Sequence, residues 1–429
     1  MTYSEAIGYL YAQLPVFHRV GAKALKPGLE NTIRLCEYLG NPQEKFKTIH
    51  VGGTNGKGSS SHLLAAVLQS AGYRTGLYTS PHLKSFTERI RIDGFPIPEE
   101  EVADFVGQHK AFIEDLSPSF FEVTVGLAFD YFARQKVDIA IIEVGLGGRL
   151  DSTNVISPIL SLITNIGWDH SDILGDSLEK IAYEKAGIIK AETPVVISER
   201  NPEVDFVFLE KAKDCDAPIR FGPDALEVAD GGLTSEGRIL RVTTREGKSS
   251  DLTIGLLGEY QLKNVGGVLT ALKMLEKSGL PISDAAVENG FKNVVRLTGL
   301  KGRWQILQHH PTVICDTAHN EPGLRSIFQS LTKQQFKNLH IITGFVKDKD
   351  LTRVLVLFPF NATYYFCEPT IPRALPSGEL AGLFNQNGIF GKVYSDVNEA
   401  LSEAKRLAGP EDIILITGST YVIAEINHL

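Results

Sequence analysis

Gly52-Gly53-Thr54-Asn55-Gly56-Lys57-Gly58-Ser59 brings together the residue types that hold a polyphosphate. Glycines let successive backbone N–H groups turn toward phosphate oxygens. A helix opening directly behind them adds the partial positive charge of its N-terminus. Lys57 adds a full positive charge for the β- and γ-phosphates. The spacing departs from the common form. A GxxxxGK[ST] loop ending on Lys57 would want its first glycine at Val51 and its hydroxyl at Gly58; here the hydroxyl comes one residue later, at Ser59. A glycine-rich turn without a ligand is the plain alternative.

Other chemistry-bearing residues fall where strands are expected to end, and loops at the carboxyl ends of a parallel sheet are where ligands bind. Thr79-Ser80-Pro81-His82 follows one strand. Glu143 lies near the end of the apolar run Ile139–Val144, where a carboxylate is costly unless it meets a cation. Magnesium is the natural partner beside a phosphate loop, and a structural ion pair is the alternative. Gly167-Trp168-Asp169-His170 follows another strand, so His170 is either structural or a contact for metal or phosphate. Asp151 reads as a substrate contact or a turn residue. Lys185, in Glu184-Lys185-Ala186-Gly187, reads locally as half of a solvated surface pair. Gly145-Leu146-Gly147-Gly148-Arg149 is rejected as a dinucleotide fingerprint, because Arg149 stands at its last position and no suitable βαβ unit follows. His309-His310 reads as a surface turn before Pro311.

The elements that must position these residues alternate. Strands are expected at Phe46–Val51, Thr75–Tyr78, Asp138–Val144, Ile159–Ile166 and Pro194–Ser198. Helices are expected at Ser59–Ala71, with an apolar stripe of Leu63, Leu64, Val67 and Leu68, then at Glu99–Leu116, Phe121–Gln135 and Asp176–Ile189. Such alternation implies right-handed βαβ units and a mostly parallel sheet. Residues 220–257 differ: runs such as Ile239–Thr244 and Leu252–Leu256 suggest a small antiparallel layer. A helix from Gln261 to Lys277 follows. Alternation restarts after Gly299, with strands at Thr312–Asp316, His340–Thr343, Thr363–Cys367 and Ile413–Thr417. Helices there fit Gly323–Leu331, Ser377–Asn385 and Val397–Ala408. The domain boundary is placed near Arg296–Gly302, giving domains 1–297 and 298–429.

The chain's 429 residues accommodate two or three domains. A net charge of −8 and the absence of any long Lys/Arg run argue against a nucleic-acid groove. Cys36, Cys215, Cys315 and Cys367 are far apart, which suggests neither a zinc site nor a disulfide framework. Residues Met1–Glu5 lack the start of a secretory signal, and no run approaches the ~20 apolar residues of a membrane span. A cytoplasmic protein without membrane partners is expected.

Taken together, these pieces resemble the Mur-ligase superfamily, most closely its folylpolyglutamate synthase branch. The matching pieces are Gly53–Ser59, Thr79–His82, Glu143–Asp151, Asp169-His170, Glu184–Gly187, Gly302-Arg303 and Asp316-Thr317-Ala318-His319-Asn320, collinear over nearly the whole chain. The resemblance implies an α/β enzyme: a P-loop ATPase domain with a mostly parallel sheet, a smaller Rossmann-like C-terminal domain, and ATP in the cleft between them. It implies that Gly53, Thr54, Asn55, Gly56, Lys57, Gly58 and Ser59 hold the ATP phosphates. Ser80 and Glu143 resemble ligands of a magnesium ion and His170 a ligand of a second. Lys185 resembles the family's carbamylated lysine, against its local reading as a surface pair. Asn264, Arg303, Asp316 and His319 resemble positions that contact nucleotide or orient the reacting groups. Phe121, Glu122 and Asp151, with Ser80 and His319, are expected near substrate.

Two departures stand out. Tyr260 occupies the place of a frequent histidine before Gln261, and Ser60 that of a usual threonine. The implied reaction joins L-glutamate to dihydropteroate, to the glutamate tail of a folate, or to both, through an acyl phosphate, in a monomeric enzyme. A muropeptide ligase is the nearest rival, but its extra N-terminal domain has no room before a phosphate loop that starts near residue 52. A bare P-loop NTPase would not need Lys185 or the Asp316–His319 segment. A catalytically dead pteridine-binding protein would not need Lys57, Glu143 and His170.

Overall fold

The computed structural model describes residues 1–14, 28–347, 349 and 351–429. Two compact units emerge: Met1–Gly255 with Gln261–Leu300, and Leu256–Tyr260 with Lys301–Leu429. The chain passes from one unit to the other at Leu300–Lys301. The return of Leu256–Tyr260 to the second unit was not expected. Leu257 and Tyr260 pack there against a core containing Trp304, Ile314 and Leu324, so the short segment follows its apolar contacts rather than its sequence neighbours.

The first unit is built on eight strands: β1 Lys47–Gly52, β2 Thr75–Tyr78, β3 Ile90–Ile92, β4 Phe95–Pro96, β5 Ile139–Glu143, β6 Leu160–Ile163, β7 Val195–Ile197 and β8 Ile219–Phe221. Their order is β4-β3-β2-β5-β1-β6-β7-β8. All neighbours pair in parallel except β3 and β4, which close one edge antiparallel. The central strands are buried on both faces: β5 is apolar up to Glu143, and β1 is buried from Thr48 to Gly52, His50 included. One apolar cluster, with Phe105, Phe129 and Phe132, fills one face; another, with Ile188, Val204 and Phe208, lies under the helices Leu178–Ala186 and Asp205–Asp214. Three further strands, β9 Leu226–Thr234, β10 Gly237–Thr244 and β11 Ser249–Ile254, form a separate antiparallel sheet.

The helix Lys57–Ser70 departs from the expected amphipathic stripe. It is buried all round from Ser59 to Leu68, because the helices Gln261–Lys277 and Asp284–Lys292 pack onto the side that the sheet does not cover.

The second unit carries β12 Gln305–His309, β13 Thr312–Cys315, β14 Leu339–Thr343, β15 Thr363–Phe366, β16 Gly391–Val393 and β17 Ile413–Thr417, in the order β12-β13-β17-β14-β15-β16. Only β12 runs antiparallel. It corrects the reading of His309-His310 as a turn. His309 is the last residue of β12 and pairs with Thr312, and only His310 lies in the tight turn. The polar edge strand Gln305–His309 has no period-2 pattern strong enough to reveal it.

Candidate active site

The phosphate loop runs from the carboxyl end of β1 into the helix Lys57–Ser70. Its backbone is tied to the neighbouring β6 end: Thr54 N–H donates to the Asn165 carbonyl, and Asn55 N–H to Asn165 Oδ1, both at 2.9 Å. Gly53 and Gly56 have φ of +134° and +86°. A Cβ on Gly53 would lie 1.9 Å from Thr164 Oγ1, and one on Gly56 2.2 Å from Asn264 Oδ1. Glycine is therefore required twice over, by conformation and by space. Asn264 reaches the loop from the helix Gln261–Lys277, whose Gln261 also donates to Ser59 Oγ at 3.1 Å. A second hydrogen bond, Asn264 Nδ2 to Gln261 Oε1 at 2.7 Å, fixes the amide that faces Gly56.

Lys57 folds back over the loop, its Nζ donating to the carbonyls of Gly53 and Thr54, each at 3.1 Å. Lys185 is not on the surface. It is buried near the end of the helix Leu178–Ala186 and donates from Nζ to the Gly53 carbonyl at 3.0 Å. Burial first, and the positive charge of Lys57 second, pull its pKa from 10.5 down to about 7. Its sequence neighbour Glu184 is the residue that makes a solvent-side pair, with Arg149.

Glu143 ends β5, in register with Val51 of β1, and is 4 % exposed. Its Oε2 accepts the Ser80 N–H at 3.3 Å, from the loop after β2. His170 follows the β6 end with φ of +50°, and Asp169 Oδ1 accepts its N–H at 3.0 Å. A non-glycine residue held in the left-handed region stores strain of order 1–3 kcal/mol, a recurrent mark of functional loops. Phosphate loop, Ser80, Glu143, His170 and Lys185 thus share the carboxyl-end rim of one sheet.

Among the described residues, no group of three or more His, Cys, Asp or Glu side chains forms a metal cage. Glu143, Ser80 and a phosphate loop still suit magnesium, which binds through one or two carboxylates plus substrate phosphates and retains waters. The buried carboxylate of Glu143, beside a loop made for polyphosphate, is the observation that fits the ion.

Phe121 covers Gly145: a Cβ there would meet its ring at 2.4 Å. Tyr78 lies 6.1 Å from Phe121, ring to ring. Asp151 is buried, with Oδ2 accepting Leu146 N–H at 2.8 Å. Glu122, expected near substrate, also has a structural task. It closes a capping box with Ser119 at the start of the helix Phe120–Arg134, its carboxylate accepting the Ser119 N–H.

In the second unit, Asp316 follows β13 and is pinned by three donors: Tyr260 Oη at 2.6 Å, Trp304 N–H at 2.7 Å and Ala318 N–H at 2.9 Å. Burial pushes its pKa up while these donors oppose the shift. Arg303 hydrogen-bonds Thr317 Oγ1 and the Gly302 carbonyl. His319 has its Nδ1 3.0 Å from the Thr317 carbonyl, which sets that nitrogen as the N–H. Sequence reading marked Tyr260 only as a departure; the structure makes it the donor that holds Asp316. It passed over Asn165, Thr164 and Gln261. Their signal was positional, since Thr164 and Asn165 follow β6 directly and Gln261 lies three residues before Asn264.

Residues 51–272 match the Mur ligase middle domain, and residues 302–420 the Mur ligase, glutamate ligase domain. The dihydrofolate synthase/folylpolyglutamate synthase of Bacillus subtilis is 36% identical, the match covering 99% of this chain and 98% of that one. The chain belongs to the Mur ligase family, in its dihydrofolate synthase/folylpolyglutamate synthase branch. Escherichia coli FolC in complex with DHPP and ADP superposes with a TM-score of 0.86 at 28% identity, over 99% and 96% of the two chains. A bifunctional folylpolyglutamate synthase/dihydrofolate synthase with Mn, AMPPNP and L-glutamate bound gives 0.83 at 30% identity, over 99% and 97%. The protein is an ATP-dependent ligase that adds glutamate to a folate-type acceptor and works with a divalent metal. A bare NTPase and a muropeptide ligase are set aside. No helix among the described residues is long and apolar enough to cross a membrane.

Proposed function

We propose that this ligase accepts both dihydropteroate and (tetrahydro)folates, and that its site residues divide the work as follows. Lys57 and the loop amides of Gly53–Ser59 bind the ATP phosphates, and Asn264 fixes the loop from behind. Ser80 and Glu143 would hold a magnesium ion and His170 a second; such ions would neutralise charge on the transferring phosphoryl group. Phe121 and Asp151 contact the acceptor. Arg303, Asp316 and His319 contact the nucleotide and orient the reacting groups. The observation that carries this reading is the convergence of Lys57 and Lys185 on the Gly53 carbonyl, at the same sheet rim as Glu143 and Ser80.

The acceptor carboxylate attacks the γ-phosphorus. The bond to the β,γ-bridging oxygen breaks, giving an acyl phosphate and ADP. The glutamate amine then attacks the acyl carbon, loses a proton and expels phosphate, leaving an amide. At ~4 Å and an effective dielectric of ~20, each like-charge pair in the first step costs about 4 kcal/mol. Lys57 and Arg303 offset that repulsion. Water must be kept from the acyl phosphate, which hydrolyses readily.

Lys185 is carbamylated in this reading. A buried amine with pKa about 7 is largely neutral at slightly alkaline pH. Neutral nitrogen adds to the carbon of CO2 and releases one proton, leaving a carbamate anion where the neutral amine stood. The anion relieves repulsion from Lys57 and suits a metal ion or its waters. Protein incubated with 13C-bicarbonate would show a carbamate carbon resonance that Lys185→Arg lacks; a resonance that survives in the variant would place the adduct elsewhere.

The chain's acidity, its lack of a basic run and its separated free cysteines support a cytoplasmic enzyme without nucleic-acid partners. Resemblance alone supports a monomer, which sedimentation velocity tests directly. The activity is decided by ADP release with ATP, magnesium and L-glutamate, comparing dihydropteroate, tetrahydrofolate and no acceptor. Release that depends on glutamate and on each acceptor establishes both activities, and response to only one narrows the enzyme to that one.

A further inference from the structure

A buried relay runs from the central sheet to the loop Gly145–Asp151, and nothing above gives its first two members, His50 and Thr153, a role. His50, in the middle of β1, has no exposed surface. Its Nε2 lies 2.9 Å from Thr153 Oγ1. That hydroxyl donates to Asp151 Oδ1 at 2.5 Å, and the Thr153 N–H reaches the same oxygen at 3.0 Å.

The direction of the relay follows from proton count. A hydroxyl has one proton and two lone pairs. The Thr153 proton goes to the carboxylate, so Nε2 of His50 must carry a proton and donate. Nδ1 of His50 meets no hydrogen-bond partner among the described residues, so the Nε2–H tautomer leaves a bare lone pair there rather than a stranded N–H. Burial, aided by the positive charge of Lys190, keeps the ring neutral, with its pKa lowered to about 3. At the far end, Asp151 Oδ2 accepts Leu146 N–H and so closes the loop on itself. Gly145, the residue before Leu146, lies directly under the Phe121 ring. The relay therefore ends where the acceptor is placed.

We propose that His50 is a positioning residue for the folate-type acceptor: through the Thr153 hydroxyl it holds the Asp151 carboxylate, and with it the Gly145–Asp151 loop, in the geometry that binds acceptor. This rests on the reading of Asp151 and Phe121 as acceptor contacts. A merely structural His50 would lower stability and leave the ratio of Michaelis constants alone. A positioning His50 selects one substrate.

The test measures KM for dihydropteroate, ATP and glutamate separately, with kcat and melting temperature, in His50→Leu, His50→Gln, Thr153→Val and Asp151→Ala. His50→Leu and Thr153→Val each break the relay. Both are expected to raise the dihydropteroate KM about ten-fold, equivalent to ~1.4 kcal/mol, with the KM values for ATP and glutamate within two-fold of wild type. His50→Gln keeps a donor near the Nε2 position and is expected to recover most of the affinity. The double variant should be no worse than the poorer single one, because both cut the same chain. Equal rises in all three KM values, or a fall in melting temperature alone, overturn the inference. If His50→Leu does not fold, Thr153→Val decides by itself. Asp151→Ala separates the two levels. No change in acceptor KM there removes the underlying reading, whereas a raised KM with silent His50 and Thr153 variants removes only this inference.

Discussion

Lys57 and Lys185 donate to one oxygen: the Gly53 carbonyl accepts both Nζ groups, at 3.1 and 3.0 Å. Two ammonium groups on one acceptor repel, and the buried one yields. Burial first, and that repulsion second, lower the pKa of Lys185. A loop that must gather negative phosphates thus holds a lysine ready to give up its own charge.

Stability should carry the sign of that shift. The folded pKa of Lys185, about 7, lies below the unfolded value of 10.5. Between those values the unfolded chain binds the extra proton, so stability rises with pH across the window. The penalty is fully present below pH 7. In CO2-free buffer, denaturant titrations from pH 7 to 10 should show this rise, and Lys185→Met should flatten it. An equal slope in the variant would assign the rise to other groups.

Glu143→Ala should abolish turnover while the protein folds normally. The Glu143 carboxylate ends β5 and accepts the Ser80 N–H at the rim of the sheet. A fall in kcat of more than about a thousand-fold is expected, in line with removing a group that stabilises transition-state charge. Chelation of the divalent ion should silence the wild type equally. Near-normal product formation by metal-replete Glu143→Ala would remove the residue from the metal site.

Tyr260→Phe takes one of three donors from Asp316 and leaves the Trp304 and Ala318 amides in place. The carboxylate stays put but less firmly held. We expect a loss of stability of about 1 kcal/mol and a fall in kcat/KM of roughly ten-fold. Asp316→Asn should cost far more. Matching losses in the two variants would mean that the phenol itself reaches a substrate.

Acid should weaken the first unit through His50. Its folded pKa, about 3, lies below the ordinary 6.5 of an exposed histidine. The unfolded chain therefore takes up a proton first, and stability falls as pH drops from 6.5 toward 3. His50→Gln removes the titration and should flatten this part of the profile, read by urea midpoints at pH 7, 5.5 and 4.5. A profile as steep as the wild type's would move the effect to carboxylates.

The parallel sheets were legible because their central strands are buried and carry short apolar cores such as Ile139–Ile142 and Ile413–Ile416; β2 and the helices Glu99–Leu116 and Gln261–Lys277 lie where the pattern placed them. The edges were not legible. β12, β3 and β4 are short or polar, and only their pairing partners make them strands. The helices Tyr3–Gln13 and Asp205–Asp214 also went unread. At the site, charge marked positions that do stand at strand ends: Glu143 closes β5 and Asp316 follows β13. Those marked only by a neighbour were missed: Asn165 matters because it catches the Thr54 and Asn55 amides, and Gln261 because it catches Ser59. Lys185 misled local reading, since Glu184 beside it does form the surface pair.

Gly53 and Gly56 have neighbours standing where a side chain would go, the Thr164 hydroxyl and the Asn264 amide. Every codon change at these positions that alters the residue adds atoms into occupied space and demands a left-handed backbone. In a saturation library grown under folate selection, both columns should empty except for glycine. Variants that return would carry a second change at Thr164 or Asn264, so the loop and its two guards can drift only together.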